Sequence, residues 1–174
     1  MAGFFVGCAM VDLSSDCKNC AALCCVALAF DKGAMFAFSK AAGVPCPHLK
    51  GHSCGIHPDL EAKGLKGCVQ YQCDGAGQRV MKEVFPGQTW RDEPELLGPM
   101  MAAFSSMRKV HGQLVLLKAA EALSLSVDQR AELKHFRQRL APEAGWSEEA
   151  LEKLEKSGIF RELASFFQAL QPLV

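Results

Sequence analysis

What the chain lacks narrows it first. It has no excess charge of either sign: 19 Lys+Arg stand against 19 Asp+Glu, and the formal net charge is zero. A division at residue 94 leaves 9 basic and 9 acidic residues before it and 10 of each after it. Neither half is a basic footprint for a nucleic acid, so no nucleic-acid partner is expected. No stretch reaches the ~18–20 unbroken apolar residues that cross a bilayer; Lys32 and Lys40 interrupt the best one. No membrane association is therefore expected. No basic residue precedes Lys18, so the positive start of a secretory leader is missing. Phe5-Val6-Gly7-Cys8 looks like a lipoprotein cleavage box, but only seven residues precede the cysteine. There is no internal repeat and no low-complexity run. Nor is there a Ser-His-Asp set, a metalloprotease helix, a phosphate loop or a framed pair of carboxylates. With 49% hydrophobic and 22% charged residues, the composition is that of a soluble globular protein, expected in the cytoplasm.

Cysteine is also missing from most of the chain. The last 101 residues have none, whereas eight of the nine lie between Cys17 and Cys73 and the ninth is Cys8. The chain therefore divides into a Gly-, Cys- and Pro-rich region, 1–94, and a cysteine-free region, 95–174. A dense thiol cluster in a reducing compartment points to metal rather than to disulfides. The spacing is Cys17-x2-Cys20-x3-Cys24-Cys25, then Cys46, Cys54, Cys68 and Cys73. On a helix from about Cys17 to Phe30, positions 17, 20 and 24 would share one face, with Cys25 turned about 100° away. Thiolates converging in this way suit soft or borderline cations. The adjacent Cys24-Cys25 pair could serve two metal centres. The other four cysteines sit among glycines and prolines, where free backbone N–H groups can turn toward sulfur.

Simple metal motifs do not fit. A two-cluster ferredoxin run needs a cysteine at position 23, which is Leu23. A zinc ribbon needs paired Cys-x2-Cys knuckles, and only one occurs. The Cys-x2-Cys at 17–20 has no thioredoxin-like βαβ pattern around it. The thiols could hold one [4Fe–4S] cluster plus further ligands, two clusters, or two Zn(Cys)4 sites, and disulfides or free thiols stay open as a third class. Cys8 stands outside the pattern and reads as a buried free thiol.

The whole constellation resembles the YkgJ-like cysteine-cluster proteins, a zinc- or iron-chelating family. The resemblance rests on Cys17-x2-Cys20-x3-Cys24-Cys25, Cys46-Pro47-His48-Leu49, Cys54-Gly55-Ile56-His57 and Cys68-x4-Cys73. It implies that Cys17, Cys20, Cys24, Cys25, Cys46, Cys54, Cys68 and Cys73 are the metal or cofactor ligands. His57 stands where an aromatic residue is usual and could be an extra ligand. The first knuckle has three residues before the Cys-Cys pair where relatives often have two. With Asp74-Gly75-Ala76-Gly77-Gln78 and Thr89-Trp90-Arg91 added, the region is also similar to the cysteine-rich part that precedes pentapeptide repeats in some bacterial proteins, although no such repeats occur here. Related flagellin lysine N-methylases carry an iron–sulfur cluster. The resemblance thus implies an iron–sulfur cluster, [4Fe–4S], with a redox or protein-modification role. The alternative is Zn2+ in an interaction module without catalysis, with a protein partner.

The second region reads as helices. Leu96, Leu97, Met100, Met101, Phe104, Met107, Val110 and Leu114 recur at steps of three and four, predicting a helix over about 95–123. Ser126 three residues before Gln129 starts a helix over 127–140. Ser147 caps a third, which Ser157-Gly158 ends. The closing segment 159–170 carries Phe160, Leu163, Phe166, Phe167 and Leu170 on one face, as core packing. A short helix is expected over about 77–85. Gly75-Ala76-Gly77-Gln78 lacks the third glycine of a dinucleotide fingerprint and reads as a turn supporting Cys73. His48 and His52 read as loop histidines bonded to backbone. Trp90 and Arg91 should join the two regions, with Arg91 and Arg108 paired to Asp92, Glu93 or Glu95. His111 reads as a polar helix contact, or else as part of a junction pocket with Trp90, Arg91, Arg108, Met101, Phe104 and Met107. The expected fold is mainly α: a small irregular cysteine-rich module packed on C-terminal helices.

Overall fold

The computed structural model describes residues 11–173. Cys8 and the Phe5–Cys8 stretch lie outside the described residues.

Helix α4, Leu97–Ala120, is the axis of the fold. It buries Met100, Ala103, Phe104, Met107, Val110, His111, Leu114, Leu117 and Ala120. That stripe is wider than one amphipathic face, because the cysteine region packs on one side of α4 and the later helices on the other. Gly112 is tolerated within it. Helix α5, Val127–Leu140, begins with a reciprocal cap: Gln129 N donates to Ser126 Oγ at 3.2 Å and Ser126 N to Gln129 Oε1 at 2.8 Å. Helix α6, Glu148–Lys156, is capped by Ser147, and Gly158 at φ +80° turns the chain into α7, Ile159–Leu170. Ile159, Leu163, Phe166 and Leu170 close the core from that side.

The cysteine region departs from expectation. The helix expected over 17–30 does not form. Instead a 3-10 turn, Cys17–Asn19, is followed by a five-residue helix α1, Leu23–Ala27. A local turn and one distant bond break the helix. The Asp16 carboxylate accepts from Lys18 N and Asn19 Nδ2, closing a tight turn. The Trp90 indole donates to the Ala21 carbonyl at 2.7 Å, and Ala22 takes φ +54°. Cys17, Cys20 and Cys24 therefore do not share a helix face. A two-stranded hairpin, β1 Leu49–Lys50 and β2 Ser53–Cys54, and a short helix α2, Lys66–Gln70, follow. The helix expected over 77–85 is α3, Ala76–Arg79, running into a π-helical turn, Val80–Val84.

One hydrophobic core runs through both regions, from Ala21, Leu23 and Val26 through Val80, Phe85 and Trp90 to Leu170. The protein is mainly helical, with one small sheet. Among the described residues no helix is long and apolar enough to cross a membrane.

Candidate metal centre

Leu23 and Val26 point into the core beside α4 with no exposed surface. Cys24 and Cys25 lie between them on α1, both half-buried, their sulfurs 3.9 Å apart. Cys73 lies beside Ser15 Oγ at 3.3 Å. Its carbonyl accepts from Ala76 N, which starts α3. The Gly75–Gln78 turn is a clamp. Gln78 accepts from Asp16 N at 3.0 Å and donates to Ser14 O at 2.6 Å, so the strand leading to Cys17 is tied to the segment after Cys73. A Cβ on Gly77 would stand 2.5 Å from Cys20 Sγ, so only glycine lets that thiol approach. The segment expected as a turn supporting Cys73 turns only at Asp74 and Gly75 and then becomes helix α3, whose Gly77 seats Cys20.

The other cysteines are placed by loop hydrogen bonds. Cys46 N donates to Cys25 O at 3.0 Å, and Leu49 N to Cys46 O at 3.0 Å. Leu49 pairs with Cys54 across the hairpin. Cys68 N donates to Leu65 O, Leu65 being buried, and Gly67 N donates to Met35 O.

The thiols affect one another electrically. Burial, then the charge of Cys73, Cys25 and Cys54, raises the pKa of Cys17. Burial pushes Cys20 up to about 11, with Cys73 and Cys17 adding to it. Cys24 is raised by its hydrogen bond with Cys25, by burial and by the charges of Cys25, Cys20 and Cys73. Cys25 is lowered by that hydrogen bond and by Lys40, against burial. Cys46 is raised by burial and by Cys25 and Cys54; Cys68 by burial and by Cys25, Cys46 and Cys54. Thiols that resist ionisation together gain most from a cation that cancels their mutual repulsion. Among the described residues, however, no three His, Cys, Asp or Glu side chains gather round one point as the donors of a single ion would.

Sequence reasoning missed Lys40. Its backbone bridges to Phe30, and its side chain, 6% exposed, turns inward. Nζ donates to the carbonyls of Val26, Ala41 and Val44 at 3.2, 3.0 and 2.9 Å. Burial lowers its pKa, and the thiolates of Cys46, Cys25, Cys24 and Cys68 oppose that. A lysine between two apolar runs carries no visible mark of this role.

The histidines and arginines divide differently. His57 is exposed on the 3-10 turn His57–Asp59. His48 meets the Phe38 ring edge-on and His52 the Trp90 ring; His52 Nε2 is buried without a hydrogen-bond partner, contrary to expectation. Arg91 stacks on Trp90 at 4.4 Å and Arg108 on Tyr71 at 5.3 Å, in place of the expected ion pairs. His111 is wholly buried: Nδ1 lies 2.5 Å from Asp74 O, and Arg79 Nη1 lies 3.4 Å from Nε2. A carbonyl only accepts and a guanidinium only donates, so the ring is neutral with its proton on Nδ1. Arg79 also pairs with Glu83 at 2.9 Å, and Glu83 accepts from Trp146 N. Phe104 and Met107 are core residues. These contacts join the two regions.

Comparison with known proteins gives one named relative. A curated protein of Bacillus subtilis (strain 168), described as uncharacterized protein YybG, is 42% identical over 124 residues, which are 71% of this chain and 44% of the relative. The chain spans less than half the length of that relative. No family model matches the chain, and no solved structure matches it.

Proposed function

We propose that this chain is a metal-binding cysteine-cluster protein of the YkgJ-like kind, and that its eight thiols hold iron–sulfur. The observation that carries this reading is the set of ties that bring the cysteine segments side by side: Cys46 N bonds to Cys25 O, Leu49 pairs with Cys54, Gln78 bonds to the segment before Cys17, and Gly77 seats Cys20. An iron–sulfur cluster supplies one-electron transfer when bound. The chain's own residues would hold it, shield it from water and offset its charge. The expected setting is the cytoplasm, where thiols stay reduced, with a protein partner in electron transfer or protein modification. Anaerobic purification followed by iron, labile sulfide and zinc analysis tests this. A brown protein with visible charge-transfer absorbance and matching iron and sulfide supports it. A colourless protein with stoichiometric zinc and no sulfide would make it a zinc-stabilised interaction module instead.

A further inference from the structure

The second half of α4 is apolar nearly all round. From His111 to Ala120 the only polar side chains are His111, Gln113 and Lys118. One side of this stretch buries Leu114, Leu117 and Ala120. The other side shows Val115, Leu116 and Ala119 to solvent, Val115 at 36% and Leu116 at 49% exposure. Val115 and Ala119 lie one turn apart with Leu116 beside them, so the three form one strip. Single exposed apolar residues are ordinary, but a helix that is apolar on every side is one that is covered on every side. No described residue buries this strip.

The chain itself arrives beside this strip. His111 Nδ1 donates to Asp74 O, and the carbonyl oxygen of Asp12 lies 2.6 Å from where a Cβ on Gly75 would stand. Val11 packs against the core, and the Lys118 charge acts on Asp12. Residues 11–12 thus lie against the half of α4 that carries the strip. Residues 1–10, Met-Ala-Gly-Phe-Phe-Val-Gly-Cys-Ala-Met, lie outside the described residues and carry no charged side chain. The extended chain from Val6 to Val11 spans about 17 Å, whereas Val115 to Ala119 rises only about 6 Å along the helix. We propose that residues 1–10 dock on α4, with Phe4, Phe5 and Val6 laid against Val115, Leu116 and Ala119. The occupant matches the strip in kind, an uncharged apolar segment on an uncharged apolar surface. Its short tether makes the docking intramolecular, which favours it over any separate partner. The covering is independent of whether the thiols hold metal.

Thermal denaturation and sedimentation of the full chain and three variants test this: Phe4→Ser/Phe5→Ser, Val115→Gln/Leu116→Gln, and the two pairs combined. Gln forms helix as well as Leu and better than Val, so on a bare strip the second variant should hold or raise the Tm. On a covered strip it should lower the Tm by several degrees. The first variant should do the same, and the combined variant should fall little further than either, with sedimentation unchanged across the set. An unchanged or raised Tm in Val115→Gln/Leu116→Gln overturns the proposal. Losses that simply add also overturn it, because groups that do not touch act independently. A wild-type dimer that dissociates in Val115→Gln/Leu116→Gln puts a second copy on the strip instead. Flotation of the wild type with phosphatidylglycerol vesicles, lost in Phe4→Ser/Phe5→Ser, gives the segment to a lipid surface; either result overturns the docking. Should a variant fail to fold, nuclear Overhauser contacts in the wild type between the Phe4 or Phe5 ring and the Leu116 methyls are expected, and their absence overturns it.

Discussion

Gly77→Ala is a small change with a worked consequence. Gly77 lies in helix α3, where alanine is ordinarily preferred by about 1 kcal/mol. Here the added Cβ would stand 2.5 Å from Cys20 Sγ, and ordinary contact begins at 3.4 Å. The thiol must retreat by roughly 0.9 Å, from the difference of those two distances. Metal–ligand distances tolerate about 0.2 Å. Overpacking of this kind costs about 1–3 kcal/mol, so the net loss should be up to about 2 kcal/mol, a fall of several degrees in Tm. Metal content should drop with it. Gly112→Ala in α4 is the control. Nothing lies within 4 Å of a Cβ there, so that variant should be stabilised by about 0.5–1 kcal/mol. Calorimetry and metal analysis of both variants check the pair. A Gly77→Ala protein with unchanged metal and a Tm at or above that of the wild type would refute the reasoning.

Two further outcomes are expected. Lys40→Met strands the carbonyls of Val26, Ala41 and Val44 at about 1–3 kcal/mol for a buried unsatisfied group, and should speed metal loss to a chelator; a variant matching wild type in both would remove Lys40 from the site. His111 is held neutral by burial, with the Arg79 charge acting the same way and the Asp74 carbonyl, the Asp74 charge and Glu83 opposing. Its pKa is lowered in the fold, so the unfolded chain takes up the proton first, and stability falls as pH drops below the ordinary value of about 6.5. Denaturation midpoints of wild type and His111→Gln across pH 5–8 should diverge in slope; parallel curves would show that His111 is not the titrating group.

The helices could be read from the sequence because each carries its own local signals. Ser126 with Gln129, Ser147 with two glutamates behind it, and Gly158 mark ends that depend only on neighbours in the chain. The path of the cysteine segment could not be read that way. Cys17, Cys20 and Cys24 have helical spacing, but Trp90 and Gln78, more than fifty residues away, decide their path. Lys40 was hidden for the same reason: its role depends on three carbonyls that the fold brings together. His111 lay on a legible helix, yet its partners, Asp74 and Arg79, are set by the turn after Cys73.

Those long-range bonds also predict how the module comes apart. The segments that carry Cys20, Cys24, Cys25 and Cys73 are pinned to the helical scaffold at points adjoining those cysteines. Trp90 holds Ala21, next to Cys20; Leu23 and Val26, flanking Cys24 and Cys25, are fully buried; His111 holds Asp74, next to Cys73. Each fully buried Leu or Val side chain contributes about 1.5–3 kcal/mol, whatever the state of the thiols. The segment that carries Cys46, Cys54 and Cys68 has fewer such anchors. Cys46 and Cys54 hang on a two-residue hairpin and on bonds from loop to loop, α2 buries none of its residues, and Lys40 is the main buried polar tie. Such short elements are not stable alone, so metal would supply most of their closure. Hydrogen exchange with and without chelator should therefore show three tiers. Residues 44–70 lose protection first, residues 20–27 and 73–84 later, and the helices over 97–170 last. Equal loss across 17–73 would mean that the scaffold pins do not distinguish these segments, and loss over 20–27 before 44–70 would reverse the argument.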